Sequence, residues 1–288
     1  MKLASVFQEK ETVFSFEIFP PKKTSSIDTI YNTLEELKNL KPDFISVTYG
    51  AGGLEAGNSK TCEIASVIKH KYNIEPVAHL TCVNSGKEQV LAELNNLKNN
   101  GIENILALRG DIVPDIPRCE EFKYASDLIK FVKENGDFDI AAACYPEGHM
   151  EADSMAADIK NLKYKVECGA SHLISQLFFD NNAFYNFMEK VEIADIKVPV
   201  EAGIMPVTNK SQIERMVSMC GASLPAKFSK IMNKYADKPE ALRDAGIAYA
   251  IDQIVDLISQ GVDGIHLYTM NSPYVAKRIS EAVGSLLN

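Results

Sequence analysis

Eight short apolar runs recur along the chain, and each is followed by a segment whose apolar residues fall at helical spacing. The runs cover residues 13–19, 44–49, 75–81, 104–109, 139–144, 172–178, 198–202 and 264–268. Most are close to continuously apolar, as strands covered on both faces of a parallel sheet must be. Between them, Ala125, Leu128, Ile129 and Val132 stand at i, i+3, i+4 and i+7, and so do Ile251, Ile254, Val255 and Ile258. Met155, Ile159, Leu162 and Val166 make a similar stripe, and such stripes pack a helix against a sheet. Gly101 and Gly261 stand just before strands and suit helix C-termini. Eight units of about 36 residues each predict an α/β fold, a (β/α)8 TIM barrel, with residues 1–288 in a single domain. No repeat, low-complexity tract or linker divides the chain; 112–121 reads as a loop and 220–239 as an extended insertion before the eighth strand.

Charge and composition narrow the partners. A formal net charge of -9, with no basic stripe, argues against nucleic acid and against an anionic membrane surface. The first ten residues lack the apolar run of a signal peptide, and no stretch of about 18 apolar residues could span a bilayer, so a cytoplasmic protein is expected. The six cysteines are scattered without a C-x-x-C pair, which fits reduced thiols better than disulfides. Neither they nor His79, His149 and His266 have close ligand spacing, and no metal is expected. No Gly-x-Gly-x-x-Gly opens a helix and no Walker A sequence occurs, so a dinucleotide would be held without a Rossmann module.

In barrels of this kind the active site lies at the C-terminal ends of the strands. Polar residues at those ends are Glu17, Thr48, Tyr49, His79, Thr81, Arg109, Asp111, Tyr145, His149, Gln176, Glu201, His266 and Tyr268. Glu17 is hemmed in sequence by Phe16, Ile18 and Phe19. An ionised carboxylate buried there is costly, so it should find a cation or hold a proton near neutral pH, as a general acid does. The bland alternative is a structural Glu paired with a buried Arg or Lys. Arg109-Gly110-Asp111 closes the fourth run with a cation, a flexible turn and an anion. Arg109 could grip a phosphate or a flavin edge and Asp111 could accept from an amino-heterocycle; a strand-end ion pair is the alternative. Asp158, Asn161 and Lys165 are spaced three and four apart and share a helix face, which suits a ribose-and-phosphate ligand or a solvated face with local pairs. His79, alone in an apolar run, reads as a satisfied core residue, and the glycines of 50–53 read as a mobile loop.

Eight stretches, in this order, resemble the methylenetetrahydrofolate reductase family: 14–21 (FSFEIFPP), 46–51 (SVTYGA), 78–82 (AHLTC), 108–111 (LRGD), 124–127 (YASD), 145–147 (YPE), 176–180 (QLFFD) and 203–207 (GIMPV). The resemblance implies an FAD-dependent oxidoreductase that converts 5,10-methylenetetrahydrofolate to 5-methyltetrahydrofolate for one-carbon metabolism and methionine synthesis. Position by position, Glu17 is similar to the family's general acid, and Asp111 to a carboxylate near both flavin and pterin. Gln176 and Tyr268 fall in the substrate set. Thr48, His79, Arg109, Gly110, Asp111, Ala125, Tyr145, His149, Asp158, Asn161 and Lys165 match positions that contact FAD. The implied chemistry passes a hydride from a pyridine nucleotide through the flavin to an N5 iminium cation of the folate, formed after Glu17 protonates near N10. Three positions depart from enteric relatives: Lys210 replaces an aromatic gate, Ser272 an arginine near the folate, and Tyr164 a basic residue of the flavin-contacting helix. They leave NADH, NADPH or an electron-transfer partner protein open as donor. Also left open are a homo-oligomer, a partner-dependent subunit of an iron–sulfur-linked reductase complex, and a flavin-free pterin-binding transferase barrel.

Overall fold

Eight parallel strands close into a barrel in sequential order: β1 Val13–Ile18, β2 Phe44–Val47, β3 Glu75–Thr81, β4 Asn104–Leu108, β5 Asp139–Cys144, β6 His172–Ser175, β7 Val200–Ile204 and β8 Gly264–Tyr268. β8 returns to β1 with Val13 beside Gly264 and Glu17 beside Tyr268. The computed structural model describes residues 1–21, 26–49, 57–112 and 117–287. The glycine loop at 50–53 and the middle of the loop after β4 lie outside the described residues.

Successive residues of a strand face opposite sides, and this barrel sorts them by chemistry. Phe14, Phe16, Ile18, Ile45, Val47, Ala78, Leu80, Ile105 and Ala107 point outward into one apolar layer with the surrounding helices. Among these, α5 (Ala125–Asn135) buries Leu128, Ile129 and Val132, and α6 (Met155–Glu167) buries Ile159 and Leu162, as their spacing requires. In α10 (Pro239–Ser259) the buried stripe is Ile247, Ala250, Ile254 and Leu257, while Val255 is exposed at the stripe's edge. Gly101 and Gly261 do end helices, with φ of +70° and +76°.

The alternate positions point inward. Val13, Phe44, Val77, Leu106, Ala141 and Ile174 fill the N-terminal end of the barrel, where α1 (Leu3–Glu9) inserts Leu3 and Val6 as a plug. The free N–H groups of α1 are satisfied by strand-start side chains: Leu3 N–H donates to Asn104 Oδ1 at 3.0 Å and Ala4 N–H to Asp139 Oδ2 at 2.6 Å. At the other end, 220–239 is more than an insertion. It holds α9 (Ala226–Lys234), whose Phe228 and Met232 pack with Leu177, Phe179, Met205 and Val207 beyond β6 and β7. That packing also explains why β6 stops at Ser175 instead of running on to 178. Gln176 N–H still bonds Cys144 O at 2.8 Å, after which Leu177 and Phe179 leave the barrel wall for this second cluster.

Candidate active site

Glu17 ends the inward row of β1, and two imidazoles face it. His79 Nε2 from β3 is 3.5 Å from Glu17 Oε2, and His266 Nε2 from β8 is 3.7 Å from the same oxygen. The apolar neighbours Phe16 and Ile18, which in the sequence suggested a desolvating clamp, lie on the outer face of the strand. Glu17 keeps 19 % of its side-chain surface exposed, and its partners are histidines rather than an Arg or Lys. His79 is no satisfied core residue: among the described residues its buried Nε2 has no hydrogen-bond partner. Burial pulls its pKa down to about 4 against the opposing pull of Glu17, so the ring is neutral at physiological pH.

His266 is held on three sides. Its Nδ1 lies 2.6 Å from Ser15 Oγ, its Nε2 lies 3.3 Å from Ser46 Oγ, and its ring stacks on Phe44 at 5.9 Å. Ser15 Oγ also donates to Glu201 Oε1 at 2.8 Å. Tyr268 donates its hydroxyl to Ser175 O at 2.7 Å, a close approach that needs glycine at 203. A Cβ at Gly203 would lie 2.7 Å from that hydroxyl and 2.2 Å from Ser175 O. Burial and then the Glu17 charge push the Tyr268 phenol well above its ordinary value, so it stays a donor. Gln176 turns its Oε1 back to accept Leu177 N–H at 2.9 Å.

A second group lines the mouth beside β4 and β5. Gly110 has φ +90°, and a Cβ there would meet Val83 Cγ1 at 2.9 Å, so only glycine serves at this turn. The preceding Arg109 is gripped by Glu151, Nη1 to Oε2 at 2.5 Å and Nη2 to Oε1 at 2.8 Å. Asp158 Oδ2 accepts His149 N–H at 3.0 Å, and Lys165 Nζ donates to Ala143 O at 2.9 Å, so one face of α6 is tied to the end of β5. Lys165 also sits 5.7 Å over the Tyr145 ring, which meets His149 edge-on at 4.6 Å. Burial lowers the Lys165 pKa while Asp158 opposes the shift. Asn161 is exposed on the same helix, Ala125 opens α5 half-buried, and Asp111 is exposed beyond Gly110. Thr48 continues β2 by donating its N–H to Ile18 O at 2.9 Å.

The three departures lie in different settings. Lys210 opens α8 (Lys210–Cys220) with Glu214 4.0 Å away, and Ser272 is the N-cap of α11 (Pro273–Val283). Tyr164 is engaged by Lys130 of α5, whose ammonium lies 4.7 Å over its ring. Sequence reasoning passed over Ser15 and Glu151. Ser15 stood two residues before Glu17 and so on its face of the strand, a signal strand alternation could have supplied; nothing local marked Glu151 as the partner of Arg109.

The family model for methylenetetrahydrofolate reductase matches residues 2–284. The chain belongs to the methylenetetrahydrofolate reductase family. Among its relatives, 5,10-methylenetetrahydrofolate reductase of Escherichia coli (strain K12) is 37% identical over 270 residues, covering 94% of this chain and 90% of that protein. Methylenetetrahydrofolate reductase 1 of Schizosaccharomyces pombe is 35% identical over 286 residues, 97% of this chain and 47% of that protein. Methylenetetrahydrofolate reductases catalyse reduction of methylenetetrahydrofolate to methyltetrahydrofolate and are flavoproteins. A structure described as an uncharacterized Clostridium thermocellum protein that binds two copies of 5-methyl-5,6,7,8-tetrahydrofolic acid shares the fold. Its TM-score is 0.69 at 13% identity, over 97% of this chain and 99% of that one. Tryptophan synthase from M. tuberculosis also shares it, with TM-score 0.57 at 13% identity over 99% and 96% of the two chains. Both likenesses concern the barrel alone.

Proposed function

We propose that the chain is an FAD-dependent 5,10-methylenetetrahydrofolate reductase in which Glu17 supplies the proton that opens the folate's five-membered ring. The observation that carries this reading is the placement of Glu17 at the mouth of the barrel, facing His79 and His266 instead of a neutralising Arg or Lys. A carboxyl so placed is free to exchange its proton with a ligand. The mouth fits a flavin dinucleotide. His79 Nε2 is buried without a partner among the described residues, and Arg109 and Lys165 bring cations to one wall. We assign Thr48, His79, Arg109, Gly110, Asp111, Ala125, Tyr145, His149, Asp158, Asn161 and Lys165 to that ligand. A phosphate arriving at Arg109 would take the place of Glu151.

When bound, FAD supplies the two-electron step, accepting hydride from a donor and passing it to the one-carbon unit of the folate. The chain's own residues do the rest. Glu17 delivers a proton at folate N10, and Asp111 favours the resulting cation electrostatically. Gln176 and the protonated Tyr268 position the pterin. The electron donor is a reduced pyridine nucleotide or a reduced partner protein. Among the described residues no helix is long and apolar enough to cross a membrane.

The test is spectroscopic. Protein reconstituted with FAD and reduced anaerobically should regain oxidised flavin absorption when methylenetetrahydrofolate is added, with 5-methyltetrahydrofolate as product. Failure to retain flavin, or reduced flavin indifferent to the folate, contradicts the reading. Reduction by NADH, NADPH and reduced ferredoxin in turn identifies the donor.

A further inference from the structure

Beneath the mouth, the barrel interior holds a carboxylate that the reaction as described does not use. Glu201, on β7, is wholly buried, and its Oε2 has no hydrogen-bond partner among the described residues. Its other oxygen, Oε1, meets Ser15 Oγ at 2.8 Å. The space it occupies is specific: a Cβ on Gly264 of β8 would lie 2.7 Å from Glu201 Cγ and 3.2 Å from Oε1. Burying such a group is costly in its charged form, so a core that makes room for it needs a reason.

We propose that Glu201 is the proton reservoir of Glu17, joined to it through Ser15 and His266, and so a positioning residue for the acid. This rests on the reading of Glu17 as the proton donor to folate. The contacts run Glu201 Oε1 to Ser15 Oγ at 2.8 Å, Ser15 Oγ to His266 Nδ1 at 2.6 Å, and His266 Nε2 to Glu17 Oε2 at 3.7 Å. When Glu17 has given its proton to the folate, the Ser15 hydroxyl turns from Glu201 Oε1 to His266 Nδ1, and a proton moves from Glu201 Oε1 to Ser15 Oγ. The Ser15 hydroxyl proton moves to His266 Nδ1, and the proton on His266 Nε2 moves to Glu17 Oε2. The imidazole changes tautomer, the negative charge passes from Glu17 to Glu201, and no electrons are transferred. The last gap exceeds a hydrogen bond, so Glu17 must swing toward the ring for that step.

The surroundings keep this reservoir loaded near neutral pH rather than drive its discharge. Burial pushes the Glu201 carboxyl up to about 7, against the pull of His266 and the Ser15 hydrogen bond, with Asp43 and Asp263 adding negative field from the starts of β2 and β8. Glu17 is faced by His79, His266 and Tyr268. His79, held neutral, is a poor alternative source. His172, the remaining titratable group near His266, is itself buried and pulled down to about 4.

The experiment is the pH profile of folate reduction in single turnovers of the FAD-loaded enzyme, for wild type, Glu201→Gln and Ser15→Ala. The reservoir empties as pH rises, so the wild-type rate should fall through a limb set by Glu201. In both variants that limb should move at least one pH unit lower, giving a roughly tenfold slower reaction at pH 7.5. Reduction of the flavin by its electron donor should stay as in wild type. The unfolding midpoint against pH, measured on the same samples, establishes that each variant is folded, and Ser15→Ala decides alone if Glu201→Gln is not. A limb that stays in place in a folded variant overturns the reservoir. Glu17→Gln separates the two ideas. If it leaves folate reduction intact, the acid assignment fails and takes the reservoir with it; if it abolishes reduction while the other profiles match wild type, the reservoir alone is wrong.

Discussion

The two ends of the barrel are made by the same eight strands, yet one is closed and the other is a chemical site. Along β1 the inward positions read Val13, Ser15, Glu17; along β2 they read Phe44, Ser46, Thr48; along β3, Val77, His79, Thr81. Two residues further along a strand is one layer higher in the barrel. β1 and β2 therefore pass from an apolar layer against the α1 plug, through a buried hydrogen-bonded layer, to polar groups at the mouth; in β3 the middle position is His79, whose Nε2 has no hydrogen-bond partner among the described residues. Stability is concentrated below and chemistry above, and the polar middle layer belongs to both.

That contrast can be broken deliberately. The largest effect on stability should come from the closed end. Leu3→Ala, at the fully buried position of the plug, should cost about 2–5 kcal/mol in denaturant unfolding while leaving turnover per folded molecule unchanged. A lower turnover would mean that the plug shapes the mouth.

The middle layer should respond to pH in opposite senses at its two levels. Glu201 has a folded pKa raised to about 7, so its contribution is intact below its unfolded value and is lost as pH rises through about 7. Glu201→Gln should therefore change stability little at pH 5 but raise it by about 3 kcal/mol at pH 8 relative to wild type. His172, next to the plug with Phe7 at 5.2 Å, has a folded pKa lowered to about 4. Its contribution is present above the ordinary histidine range and is lost as pH falls through about 4. Acid should thus loosen the closed end, and His172→Asn should flatten the acid limb of the unfolding midpoint.

Smaller effects are expected at the mouth. The double substitution Asp158→Ala/Lys165→Ala removes the ties from α6 to His149 and Ala143. It should weaken FAD retention on dilution by about tenfold or more, roughly 1.4 kcal/mol, without unfolding the barrel. Full flavin retention would remove that helix face from the site. Glu151→Gln should have the smallest effect, tightening FAD by less than about 1 kcal/mol, because it frees Arg109 from a largely exposed partner. Weaker binding would show that Glu151 orients Arg109 instead of competing for it.

Much of this was legible in the residues because buried parallel strands leave few reasons for a polar side chain at their ends. Glu17, His79 and Tyr268 stood out on that ground, and the structure brings all three to the mouth. The surroundings of Glu17 were harder to read. Phe16 and Ile18 are its neighbours in sequence but face the helices, whereas His79 and His266 are its neighbours across the barrel. The pairing of Arg109 with Glu151 depends on a loop fold without local periodicity, and the end of β6 depends on α9, far along the chain. Pattern reports what one strand buries; it is silent about which distant loop supplies the partner.

The central claim is that Glu17 acts in the folate half of the reaction and in no other. Glu17→Gln keeps shape and hydrogen-bonding capacity but holds no carboxylic proton. In separate single-turnover measurements, with flavin content checked first, reduction of the flavin by its donor should proceed at the wild-type rate. Reduction of methylenetetrahydrofolate should be slower by about 10²–10⁴-fold. Equal loss of both halves would make Glu17 a structural residue, and undiminished folate reduction would contradict its role as the acid.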